Sequence, residues 1–163
     1  MTATAFATIT PFEMMLFGET FVTFGGKIKI FAFYEFIFFT LRIVIHSYKN
    51  KTLIPMFLIV SKYLIPKGYA GMTVFPFIIL RDKKYKLNKT TINHEKIHIR
   101  QQLELLIVPF YIWYFTDLLY KYIKYKDFNK AYHNIVFERE AYANENNLDY
   151  LPKRNFWSFW KYL

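Results

Sequence analysis

The run Asn93-His94-Glu95-Lys96-Ile97-His98-Ile99-Arg100-Gln101-Gln102 decides how the rest of this chain is read. On an α-helix, residues four apart lie on one side, so the imidazoles of His94 and His98 project together and can reach one metal ion. Glu95 is turned about a quarter of the way round the helix. From there it does not bind the metal, but it can take a proton from a water that the metal has acidified. The chain has only 4 histidines, so the pattern His-Glu-x-x-His is seldom met by accident. The bland alternative, two ordinary histidines of surface or core, would be the natural reading of a single histidine rather than of a spaced pair.

Working outward, residues 81–89 are polar and lysine-rich, and Thr90 or Thr91 can cap a helix running from about 92 to 108, ended or kinked by Pro109. On that helix Ile92, Ile99, Leu103 and Leu106 fall on one side. Residues 72–80 (Met-Thr-Val-Phe-Pro-Phe-Ile-Ile-Leu) read as a strand, confined by Pro76 to an edge or a bulge. An edge strand can accept an extended peptide. Residues 53–65, interrupted by Pro55 and Lys62, read as a short helix, and Lys67-Gly68 as a turn. Residues 30–45 are strongly apolar but hold Glu35 and Arg42, and read as a strained span, an interfacial helix or a core helix. Residues 1–30 lack the pattern of a cleavable signal peptide.

Downstream of Pro109, residues 110–123 are almost wholly apolar and aromatic. Joined to 105–108 they approach the length of a membrane span, with Asp117 inside and Lys121, Lys124 and Lys126 towards the end. A last helix is expected from about 128 to 150, stopped by Pro152. The tail beyond it, with Phe156, Trp157, Phe159 and Trp160 among basic residues, reads as interfacial. The expected organisation is an apolar, membrane-associated region over 1–66, a metal-binding domain over 67–152 and an aromatic basic tail over 153–163. The fold class is α+β and mainly α-helical: the His-Glu-x-x-His helix packs on a later glutamate-bearing helix, with a short edge strand.

Composition narrows the function classes. Apolar residues make up 54%, aromatics 22% and charged residues 21%, a mixture that suits a protein working at a membrane. The net charge of +10 favours anionic lipid surfaces or nucleic acid without selecting either, and an A+T-rich coding bias accounts for part of it. No nucleic-acid-binding fold signature is present, so no specific nucleic-acid partner is expected. With no cysteine, disulfide frameworks, cysteine-based zinc knuckles and thiol catalysis are excluded. The expected location is membrane-associated, or otherwise cytoplasmic.

Two ligands do not make a zinc site. One zinc-protease pattern breaks the helix at a glycine three residues after the second histidine and takes a ligand three further on, here Glu104. The glycine position is Gln101, however, and on a continuing helix Glu104 is turned away from the histidines. The run Phe137-Glu138-Arg139-Glu140-Ala141-Tyr142-Ala143-Asn144-Glu145 is the better source. Glu138 and Glu145 share a face, and the small Ala141 between them permits close helix approach. Read without a metal, Glu138, Glu140 and Glu145 are a solvated acidic face, and that reading is preferred for Glu140.

On these residues, the region 71–150 resembles the gluzincin zinc metallopeptidases, in particular membrane-bound ones of the CAAX prenyl protease, bacterial heat-shock membrane protease and antibiotic-sensor peptidase types. Those families place an edge strand before the His-Glu-x-x-His helix and take a glutamate ligand from a later Glu-x-x-Ala-Asp motif. Glu138-Arg139-Glu140-Ala141-Tyr142 matches its glutamate and alanine. The resemblance implies Zn²⁺ held by His94, His98 and Glu138, with Glu95 as general base in the hydrolysis of a peptide or protein substrate. Tyr142 departs from the motif's aspartate, a partner of a metal-binding histidine, which bears on peptidase activity more than on metal binding. Gln101, His133 and Tyr142 are candidates for holding the ligands in place; His133 could instead stabilise an oxyanion or sit at the surface. The string 93–102 also resembles a small uncharacterised bacterial family, which adds no activity. The alternative to a peptidase is a non-catalytic protein that keeps zinc as a structural or sensing element and works as a membrane interaction module.

Overall fold

The computed structural model describes residues 56–163 together with Phe38 and Arg42. All of these belong to the compact unit Ile37–Leu163. The expectations for residues 1–30 and 30–45, and for most of the region 1–66, lie outside the described residues. The described part is α+β and mainly α-helical.

Strands β1 (Phe57–Val60), β2 (Gly71–Val74) and β3 (Phe77–Leu80) form a sheet in the order β1-β3-β2, with β1 parallel and β2 antiparallel to β3. Residues 72–80, expected as one strand, are thus most of a hairpin. The chain reverses at Phe75-Pro76, a cis peptide, which puts the proline in the turn where the ladder needs no N–H. Strand β2 is an edge and β3 is central. Of residues 53–65, the described part from Met56 onward does not form the expected short helix. Phe57-Leu58-Ile59-Val60 pairs with β3 instead, because an apolar, partly β-branched run gains a ladder and a packed face there.

Helix α1 (Lys89–Glu104) begins three residues earlier than expected, since Asn88 rather than Thr90 or Thr91 is its cap and accepts from Thr91 N at 3.1 Å. It also ends before Pro109. Leu106 and Ile107 take positive φ values of 58° and 62°, and the chain turns by 114° into α2 (Val108–Tyr125). Pro109 lies in the first turn of α2, where its missing N–H is no loss. Residues 105–123 are therefore not one straight stretch, and among the described residues no single helix is long and apolar enough to cross a membrane.

The helix expected over 128–150 is broken into α3 (Phe128–His133) and α4 (Val136–Asn144), and a further short helix, α5 (Tyr150–Lys153), begins where it was expected to end. The first break is imposed from outside, because Asp117 Oδ2 on α2 accepts from Val136 N at 2.9 Å and so caps α4. Pro152 does not stop a helix but sits within the short α5, close enough to its start that no hydrogen bond is lost.

The core has two centres. Phe75, Ile78 and Leu80 of the hairpin pack on Ile99 and Leu103 of α1 and on Ile107, while Phe110 of α2 packs on Ile135, Val136, Phe137 and Phe159. Ile99 and Leu103 thus lie on the inner side expected of them, and Leu106 falls in the bend. In the tail that reads as interfacial, Phe156, Trp157 and Trp160 are exposed, but Phe159 and Arg154 are buried.

Arg154 explains two of the acidic residues. Its Nη1 donates to Glu104 Oε1, its Nε to Glu140 Oε1 at 2.5 Å and its Nη2 to Glu140 Oε2 at 3.2 Å, with all three side chains at most 1% exposed. Glu104, turned away from the histidines, also accepts from Trp157 N at 3.2 Å and is a member of this cluster, not a metal ligand. Glu140 is not on a solvated face. It is fully buried, because the guanidinium neutralises part of its charge and Tyr150 OH adds a donor at 2.7 Å. Arg154→Ala would remove the guanidinium that donates to both buried carboxylates, and should cost ~3–5 kcal/mol of stability in chemical denaturation. A loss under ~1 kcal/mol, the range of exposed pairs, would mean that the cluster is solvated.

Candidate metal centre

Helices α1 and α4 pack on each other, and two amide side chains of α1 bind α4 and the turn after it at either end of the histidine pair. Asn93 Nδ2 donates to the carbonyls of Glu145 at 2.9 Å and Asn147 at 3.1 Å, and Gln101 Nε2 donates to that of Phe137 at 3.1 Å. Between these ties His94, His98 and Glu138 converge, with one ligand-type atom from each lying within 4.8 Å of the others. The Nε2 atoms of the two histidines are 3.1 Å apart, and they lie 3.3 Å (His94) and 3.4 Å (His98) from the oxygens of Glu138.

The other ring nitrogens fix what faces the centre. His94 Nδ1 is 2.9 Å from Glu145 Oε2, an acceptor, so it carries the proton and donates. His98 Nδ1 is 2.8 Å from Gln101 Oε1. That amide is oriented by donating its nitrogen to Phe137 O and, at 2.9 Å, to Glu140 Oε2, which leaves its oxygen to accept from His98. With each Nδ1 committed to its acceptor, the Nε2 atoms of both rings are turned to the same point, where a metal cation can take the place of a proton. Two lone pairs 3.1 Å apart repel unless a proton or a metal cation lies between them.

Glu138 supplies the negative charge. Burial pushes its carboxyl up, but His98 and His94 outweigh burial and hold it well below the usual carboxylate range. For His98, burial acts downward and the Glu138 carboxylate more than compensates, leaving the imidazole raised to about 9. Tyr114 OH, kept protonated by burial and by Glu138, donates to Glu138 Oε1 at 2.8 Å. Glu138 Oε2 is buried and, among the described residues, accepts no well-formed hydrogen bond. Two imidazole lone pairs and one under-satisfied buried carboxylate oxygen form an N,N,O donor set that suits a zinc ion with a further position open.

Glu95 is buried beside this set but outside it. Its Oε2 accepts from Thr73 Oγ1 of β2 at 2.6 Å, and β2 lies so close that a Cβ on Gly71 would be 2.8 Å from Glu95 Oε1. A side chain at Gly71 would have to displace the Glu95 carboxylate, so it is close approach rather than backbone angle that favours glycine there. Burial raises the Glu95 carboxyl, against the opposing pull of His98, His94 and the Thr73 hydroxyl. A cleft of about 600 Å³ opens onto the centre between the loop preceding β2, the start of α1, α3 and α4, with Tyr69, Gly71, His94, Glu95, Tyr142 and Glu145 among its lining residues.

Of the candidates for holding ligands in place, Gln101 does so directly. Tyr142 packs its ring edge-on against His94, centroids 4.7 Å apart, and makes no hydrogen bond to it. His133 is exposed, donates Nδ1 to Asn129 O at 2.8 Å and stacks on Tyr142 at 5.0 Å, so it reaches His94 only through that ring. The carboxylate that holds His94 is Glu145, one turn beyond Tyr142 on the same side. Comparison of the chain with protein-family models, curated proteins and solved structures finds no match. They name no family.

Glu145→Ala should weaken zinc binding roughly 10–100-fold, since the carboxylate fixes both the tautomer and the ring orientation of His94. Competition against a chromophoric chelator measures this, and an unchanged affinity would mean that packing on Tyr142 alone orients the ring.

Proposed function

We propose that this chain is a zinc-dependent peptidase, with His94, His98 and Glu138 as the residues that would hold the metal and Glu95 as the general base. The observation that carries the reading is the pairing of two Nε2 lone pairs, each fixed by an acceptor on Nδ1, with a buried ionised carboxylate, while a second buried carboxylate stands just outside the donor set. When bound, zinc supplies a Lewis acid for the scissile carbonyl and lowers the pKa of water.

The residues of the chain do the rest. Glu95, raised by burial and steadied by Thr73, takes a proton from the attacking water and returns it to the leaving amine. The bond from Arg81 N to Ala70 O, with the register of β2 on β3, turns the hydrogen-bonding groups of Gly71 and Thr73 to the free edge of the sheet. The Thr73 carbonyl is engaged at 2.9 Å by both Gln102 Nε2 and Tyr111 OH, which stiffens the edge. Gly71, next to Glu95, is then the position at which an extended peptide can add as a strand.

The test is incubation of the zinc-loaded full chain with a random-sequence peptide library, read by mass spectrometry. Cleavage that stops on chelation and resumes with zinc is expected. Stoichiometric zinc binding with no cleavage of any library member would favour a structural or sensing zinc site instead.

A further inference from the structure

We propose that the outward face of α2 docks on an anionic lipid bilayer, with the helix lying in the plane of the interface. At 3.6 residues per turn, Val108, Ile112, Phe115, Leu119, Tyr122 and Ile123 fall within an arc of roughly 100° and form a stripe about 22 Å long. They stand out of the fold: Ile112 is 64% exposed, Phe115 60%, Leu119 59% and Ile123 57%. The stripe itself holds no charge. Asp117 and Lys121 lie on the opposite side of the helix, mostly buried and paired with each other at 3.9 Å.

Charge selects the occupant. Lys126 and Lys130 follow at the C-terminal end of the stripe, both exposed, in a chain of net charge +10. A second copy would bring another +10 and no acidic group on the stripe to meet those lysines. A bilayer offers hydrocarbon to the stripe and anionic headgroups to the lysines, and exposed Tyr120 and Tyr122 suit the boundary between the two. The bend of 114° before Val108 leaves α1 off the axis of α2, so α2 can lie flat without α1 crossing the lipid.

Docking also fixes where the metal centre sits. Tyr114, on the inward side of α2, donates to Glu138, so the centre lies about one helix diameter, ~10 Å, from the lipid surface. On the peptidase reading, the substrates would be peptide segments lying at that surface. Vesicle binding needs no turnover, so the two proposals fail separately.

The experiment is cosedimentation of the full chain with phosphatidylcholine vesicles and with vesicles containing one quarter phosphatidylglycerol. The unaltered chain should bind the anionic vesicles more tightly. Ile112→Asp combined with Leu119→Asp should lower the partition at least tenfold, and Lys126→Glu combined with Lys130→Glu should remove most of the preference for anionic lipid. Zinc content and circular dichroism check the fold of both variants. Should the aspartates unfold the chain, Ile112→Cys carries a solvatochromic label in a sequence that has no other cysteine, and a blue shift on anionic vesicles is expected where Lys84→Cys shows none. Unchanged partition of the double aspartate variant, absence of the shift, or a dimer that the aspartates dissociate without any lipid binding would each overturn the proposal.

Discussion

Glu95→Gln should bind zinc as tightly as the unaltered chain and lose peptide turnover by roughly 10²–10⁴-fold, the contribution of a positioned general base. The substitution is nearly isosteric, and an amide oxygen can still accept from Thr73 Oγ1, which now lies 2.6 Å from the carboxylate. What disappears is the ability to take a proton. Glu95 is outside the N,N,O set, so its charge is not needed to complete the ligands. A structural or sensing zinc site would pass through this substitution unaffected, and a variant that still hydrolysed peptides at the original rate would remove Glu95 from the chemistry altogether.

The second large effect falls on Glu138. Structural zinc sites bind with an apparent ~10–16 kcal/mol shared over four ligands, so losing one should weaken binding roughly 10²–10³-fold. Glu138→Ala removes the donor and also leaves the Tyr114 hydroxyl without its acceptor at 2.8 Å, so some loss of stability accompanies it. Glu138→Gln separates the two effects, because its carbonyl can still accept from Tyr114 while its charge is gone. Both variants should lose zinc in competition with a chelator, and only the alanine should unfold markedly earlier. Zinc affinity retained by the glutamine variant would exclude Glu138 as a charged ligand.

The parts of the site that could be read along the chain are those set by local periodicity. His94 and His98 are four apart and share a helix side whatever the tertiary structure. The pairing of Glu138 with Glu145 on one face, with Ala141 between them, follows from the same spacing. The remainder depends on residues distant in sequence. Glu145 meets His94 across 51 positions, and Arg154 meets Glu104 across 50, so neither contact leaves a local trace. Asn93, Thr73 and Tyr114 were not singled out for the same reason: an asparagine, a threonine or a tyrosine becomes part of a site only when its partner arrives. Glu145 did leave one faint sign, since a carboxylate missing at 142 could be sought one turn away on the same face.

In the fold, the hairpin residues were legible as extended chain, but the reversal at Pro76 was not. An apolar run reads alike as one strand or as two short ones. Strand β1 was hidden because its partner β3 lies beyond an intervening strand, and the breaks in 128–150 because the cap of α4 comes from Asp117 of another helix.

Anomalous scattering at the zinc edge, from crystals of the full chain grown with zinc, tests the metal centre most directly. One peak per chain is predicted, lying between His94 Nε2, His98 Nε2 and the Glu138 carboxylate, with Glu95 near it but not bound. A chain that takes up no zinc, or a peak elsewhere with the two imidazoles still 3.1 Å apart and metal-free, would contradict the assignment.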